Sequence, residues 1–187
     1  MKKFLLLFIA LALLTSCSNT SGSLTYDEIK RINEEETYPN ALFSLVSVYE
    51  DMEELSASAS AIISCHVTSS TVVDLDGLPQ THSTVQVDQV LMGAVSSQIT
   101  IIEEGSSSAY WGVPPMEVGN HYVLFIVDSG LPQYQNSYCI AGAFQGKFIE
   151  REGYYFQQAT ESVKLSEDEY FPASFEALAK SLNQLTE

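Results

Sequence analysis

"AIISCHVTSSTVVDLDGLPQTHSTVQVDQVLMG", residues 61–93, alternates apolar with polar side chains over much of its length. Side chains of a strand point to opposite faces with a period of two, so Ile63, Cys65 and Val67 predict one face and Ile62, Ser64 and His66 the other. Thr71, Val72 and Val73 continue the run with β-branched residues that suit a strand. Thr84 to Leu91 predicts the return strand, and Asp74-Leu75-Asp76-Gly77-Leu78-Pro79 the turn, because Asp-Gly is a favoured hairpin pair. Folding about Asp76-Gly77 sets Thr71 opposite His82 and His66 opposite Val87.

Further strands follow on the carboxyl side of this hairpin. Gln98 to Glu103, His121 to Val127, Tyr138 to Phe144, Lys147 to Arg151 and Tyr154 to Gln157 carry strand composition, the last two joined across Glu152-Gly153. Six or seven short strands with regular turns predict a small closed sheet, a barrel or a sandwich. Helices flank it. Thr25-Tyr26-Asp27-Glu28 has capping-box spacing, which predicts a helix from Tyr26 to about Glu35, and Ser47-Val48-Tyr49-Glu50 predicts a second with Val48, Met52, Leu55 and Ala59 on its apolar stripe. Phe175, Leu178, Ala179, Leu182 and Leu185 predict an amphipathic closing helix over about 172–185, beginning near Pro172. The expected fold class is mainly β within α+β, with a β core over about 60–157 inside one globular domain of residues 25–187.

The segments "AIISCHV", "STVQVDQVLMG", "QITIIEEG", "PPMEVGNHYVLF" and "GKFIEREG" together resemble a group of secreted, chiefly Gram-positive bacterial proteins. The resemblance covers about Tyr49 to Phe156. It implies a small antiparallel barrel, closed or partly open, similar to the oligonucleotide/oligosaccharide-binding (OB-like) barrel of netrin-like and metalloproteinase-inhibitor-like domains. The chain departs from that pattern at Met92, where the group has Lys, and at Ala61, where it has an acidic residue.

The amino-terminal residues give an address. Lys2 and Lys3 precede an apolar run from Phe4 to Leu14, and Thr15 and Ser16 lead to Cys17, the plan of a secretory signal peptide over residues 1–16. Leu14-Thr15-Ser16-Cys17 resembles the lipobox of bacterial lipoproteins, which implies cleavage before Cys17 and diacylation of its thiol. Two acyl chains anchor stably where one is marginal. Residues 17–24 then form a lipidated cysteine and a flexible tether, and the expected location is the extracytoplasmic face of a cell membrane. Zinc chelation by a free amino-terminal cysteine, the mode of metalloproteinase inhibitors, does not carry over, because lipid consumes Cys17.

Charge excludes one class of partner. The chain holds 8 Lys and Arg against 24 Asp and Glu, for a net charge of −16, with no Lys or Arg from Ile32 to Gly146. Nucleic acid and anionic lipid both require cations, so no nucleic-acid partner is expected.

Catalytic patterns are absent. Gly105-Ser106-Ser107-Ser108 lacks the nucleophile elbow, and neither a phosphate loop nor a dinucleotide fingerprint occurs. His66, His82 and His121 have no ligand or triad spacing, and Asp74-Leu75-Asp76-Gly77 opens like a calcium loop yet carries Val85 where the bidentate Glu belongs. No cofactor and no metal are expected. Cys65 and Cys139 form an even pair, open to two readings: a disulfide closing about 75 residues and contributing about 4 kcal/mol, or two buried thiols packing as small apolar groups. The preferred functional expectation is a lipid-anchored, non-enzymatic binding module presenting a sheet face, or the loop 106–116 with Tyr110 and Trp111, to a protein, peptide or glycan. The alternative is a cell-surface hydrolase or enzyme accessory subunit whose site forms only on folding.

Overall fold

A computed structural model describes residues 24–36, 49–110, 112–159 and 172–184. The expected signal segment, Cys17 and the expected tether up to Ser23 lie outside the described residues, as do Ser47, Val48, Trp111 and Leu185.

The hairpin that opens the β region forms as its alternation predicts. Strands β1 (Ala61–Leu75) and β2 (Leu78–Met92) pair antiparallel, with Leu75 opposite Leu78 and Thr71 opposite His82. Asp76 and Gly77 both take positive φ, 54° and 85°, the backbone that a two-residue turn between right-twisted strands requires. Asp74 completes the turn by accepting the Gly77 N–H at 2.7 Å.

One detail of the register differs from expectation: His66 faces Gln86, not Val87. The cause is a bulge at Thr68, which has no partner of its own in the register and donates its hydroxyl to the Thr84 carbonyl at 3.0 Å. A one-residue slip exchanges the two faces of a strand. Here it brings Val85 and Val87 onto the same face as Cys65 and Val67. A second bulge skips Asp88, between the pairs Cys65↔Val87 and Ser64↔Gln89, and restores the original count.

Five strands close into a ring. β3 (Gln98–Glu104) lies against β2, β4 (His121–Asp128) lies against β1, and β5 (Ser137–Ile140) joins β3 to β4, giving the order β1-β2-β3-β5-β4 and back to β1. Among the described residues the β3–β5 contact is the only parallel one in this sheet, and it is short, Thr100↔Ser137 and Ile101↔Tyr138. β6 (Lys147–Arg151), β7 (Tyr154–Gln157) and a two-residue β8 (Ala173–Ser174) that the sequence did not signal extend the sheet from β4. β5 ends at Ile140, short of the expected Phe144. The chain turns there because Ala141 N–H bonds the Phe125 carbonyl and Phe125 N–H bonds the Gly146 carbonyl. A Cβ on Gly146 would lie 2.8 Å from the Phe125 oxygen.

The ring wall buries apolar side chains on both faces. Ile63, Cys65, Val67, Val85, Ile99, Ile101, Tyr122, Leu124 and Ile126 fill the inner face. Ile62, Val123, Phe125 and Phe148 point outward and are covered by α2 (Met52–Ser58) and α3 (Phe175–Gln184), through Met52, Leu55, Leu178 and Leu182. Each such fully buried side chain stabilises the fold by about 1.5–3 kcal/mol.

The helices begin where capping groups allow. α1 (Tyr26–Glu36) carries the expected box: Thr25 N–H donates to Glu28 Oε2 at 2.8 Å, and Glu28 N–H donates to Thr25 Oγ1 at 3.4 Å. α2 starts one turn later than the Ser47 box predicts. Asp51 caps it, accepting the Glu54 N–H at 3.0 Å, while Glu54 accepts the Glu50 N–H at 3.0 Å. Ala59 is its C-cap and, half-buried, still packs against the outer core together with Met52 and Leu55. α3 likewise starts at Phe175, capped by Ser174 Oγ, three residues beyond Pro172. Glu36 holds α1 on the sheet by accepting from Arg151 at 3.0 Å and from Gln158 at 2.5 Å.

Candidate functional site

The outer face of β1 changes character along its length. Ile62 is fully buried under the helices, Ser64 is intermediate, and the His66 side chain is 33% exposed. Beyond the helices' cover, the register sets His66 directly opposite His121, the first residue of β4. The two rings lie 5.2 Å apart, centroid to centroid, inclined by 36°. The Asp88 bulge brings a carboxylate to the same spot. His66 Nδ1 is 2.9 Å from Asp88 Oδ1 and 3.2 Å from Oδ2, and His121 Nδ1 is 3.7 Å from Oδ2. Bulges re-aim side chains beside functional sites, and this one adds an acid to a pair of imidazoles. Among the described residues, His66, Asp88 and His121 are the one group of three side chains competent to hold a metal ion, with one donor atom from each all within 4.8 Å of one another.

The patch borders polar groups in the covered half of the same face. Tyr155 is nearly buried, and burial, foremost, with the charges of Glu150 and Asp88, pushes its phenol above the usual tyrosine range, while the Ser64 side chain acts in the opposite direction. Cys65, on the far side of the strand, has its thiol pushed up by burial and, secondarily, by Asp88. The patch itself is open: Asp88 and His121 are 37% and 52% exposed. A depression along α3, lined by Phe175, Ala179, Lys180 and Gln184, includes none of the three residues.

The loop after β3 is fastened from beneath. Lys147, fully buried, donates to Glu103 Oε1 at 2.8 Å and to the Pro114 carbonyl at 2.6 Å, and Glu103 Oε2 accepts the Met116 N–H at 2.8 Å. A buried charge is tolerated when paired and hydrogen-bonded, and here the first cation after a long stretch without one serves to hold the loop. Within it Tyr110 is 41% exposed, while Ser106 and Ser108 bond each other through their hydroxyls at 3.3 Å.

The remaining sequence candidates separate. His82 is apart from the patch, against Tyr134 edge-on at 4.8 Å, its ring lowered in pKa by burial. Cys65 and Cys139 are free thiols, so the disulfide reading is not met. Cys65 packs in the inner core, whereas Cys139 stands opposite Val127, which packs on the outer one. Side chains directed to opposite faces of a sheet cannot meet the disulfide's short Cβ separation. Sequence reasoning missed the patch because His121 reaches it only through the β1–β4 pairing. His66 and Asp88 share one hairpin, but the unbulged register expected from sequence sets Asp88 opposite Cys65, on the other face from His66, so the bulge is needed to unite them. No family model matches the chain, and no curated protein does.

Proposed function

We propose that the protein is a lipid-anchored, non-enzymatic binding module on the extracytoplasmic face of a bacterial cell membrane, with the His66–Asp88–His121 patch as its binding face. The observation that carries this reading is the patch's openness: two imidazoles and a carboxylate converge from three strands on exposed surface instead of lining an enclosed pocket. Preformed groups on rigid strands suit recognition of a partner surface, whereas small-molecule catalysis is favoured by an enclosed cleft that shields its chemistry from bulk solvent. The loop serines bond each other instead of reaching this site.

The five-strand ring supports an OB-like barrel, in keeping with the resemblance of its segments to netrin-like domains, since a five-stranded Greek-key sheet is the plan of that fold. Such a barrel serves many ligands, and its function is set by its surface. Attachment rests on Leu14-Thr15-Ser16-Cys17. No described helix is long and apolar enough to cross a membrane. The test is fractionation of cells making the full chain or Cys17→Ala. The parent should sediment with membranes and carry acyl label, and the variant should carry none; an acylated variant would contradict the anchor. Crosslinking from Gln86→Cys, opposite His66 and outside the three-residue patch, on intact cells should capture an envelope component that the same probe at Val72 does not.

A further inference from the structure

We infer that His66, His121 and Asp88 form a binding site for a divalent d-block cation of the zinc type. The inference rests on the patch being the functional face and names its ligand. Donor chemistry selects the class: imidazole with carboxylate suits zinc, copper or nickel, while calcium and magnesium call for oxygen ligands throughout. Separation agrees with it. Ligand bonds of about 2.0–2.2 Å put neighbouring donors in a tetrahedral shell about 3.4 Å apart. The contacts to Asp88, 2.9, 3.2 and 3.7 Å, straddle that spacing. The widest separation allowed by the group, 4.8 Å, closes with side-chain rotation of about 1.5 Å.

The scaffold fixes the donors' origins. His66 and His121 face each other across a continuous six-pair β1–β4 ladder, from Ala61↔Ile126 to His66↔His121, and Asp88 is held by a bulge between two regular pairs of the hairpin. Strand-borne ligands are more accurately placed than loop-borne ones. Three protein donors leave a fourth position on the solvent side, where the exposure of His121 is greatest. That position is open to water or to a donor from a bound partner, which gives an acidic surface a means of holding another acidic group through a shared cation.

The test uses the full-length chain, extracted from membranes in detergent and freed of metal by dialysis against a chelator. Titration with ZnCl₂ by calorimetry should show one ion per chain with a Kd in the micromolar range, and a rise in Tm of about 5 °C at hundredfold excess over Kd. His66→Ala and His121→Ala should each weaken binding at least tenfold, His82→Ala should leave it unchanged, and CaCl₂ should give no heat of binding. Circular dichroism on each variant separates lost ligands from lost fold. Absence of saturable zinc binding below about 1 mM, or binding that survives both patch variants in folded protein, overturns the inference. If the Gln86→Cys probe, which leaves all three donors in place, still captures its envelope component in the presence of chelator, the metal assignment fails while the patch remains a binding face. If capture and zinc binding are both absent, the functional reading fails with it.

Discussion

Two clusters of charged groups sit on the same sheet and are built in opposite ways. Glu103 and Lys147 are buried, and their contacts are to each other, to the Pro114 carbonyl and to the Met116 N–H. His66, Asp88 and His121 are exposed by a third to a half, and the three approach one another at the surface. In the first cluster both charges are paired and hydrogen-bonded to the loop, so the cluster is structural. The second is partly exposed, and it gathers three metal-competent groups from three strands. Burial with complete satisfaction marks a clamp; exposure with convergence marks a site open to a ligand.

The sharpest way to break this contrast is to remove one member of each cluster and compare. Lys147→Ala leaves the Glu103 carboxylate buried without its cation and should cost about 3–5 kcal/mol in denaturant unfolding. Replacing both partners together, Glu103→Leu with Lys147→Met, should recover much of that loss, because an apolar pair of similar volume carries no desolvation penalty. A Lys147→Ala protein as stable as the parent would remove the clamp from the account.

Next in size is the loop's other fastening. Gly105 has φ +93°, and a Cβ there would lie 2.8 Å from the Ala109 oxygen and from the Tyr110 Cα. Gly105→Ala should cost about 2 kcal/mol, whereas Gly77→Ala meets no atom within 4 Å and carries only the strain of its positive φ. Smaller still is the effect at the patch. His66→Ala and His121→Ala should each change the metal-free stability by no more than about 0.5 kcal/mol, as for exposed surface positions; a loss of several kcal/mol would make the cluster a second clamp. Finally, Cys65 should resist alkylation in the folded protein, since burial holds its thiol protonated far above neutral pH, and Cys139 should react only slowly. Rapid labelling of both would mean that the ring wall opens.

Much of the fold is legible in the sequence because it depends on local rules. Alternation names the strands, Asp76-Gly77 and Glu152-Gly153 name two turns with positive φ at both residues, and Thr25 with Glu28 names the first helix start. What escapes is whatever depends on distant pairing. The Thr68 bulge serves to align Val85 and Val87 with the core, a requirement visible only once the inner face is known. β8 exists because Tyr154 and Tyr155 offer an edge to Ala173 and Ser174. The patch combines both limits: it needs the Asp88 bulge and a partner strand some fifty residues further on. The sequence therefore offers Tyr110 and Trp111 as its aromatic candidates, while the convergent chemistry lies elsewhere, and Trp111 stands outside the described residues.

The account's central claim is that the exposed cluster receives a metal ion and the buried one does not. Crystals of the full-length protein grown with zinc and measured on either side of the zinc absorption edge decide it most directly. The account expects one anomalous peak bonded to His66, Asp88 and His121, at about 2.0–2.2 Å from each donor. A well-diffracting crystal with its zinc elsewhere, or with none beside these three residues, would contradict it.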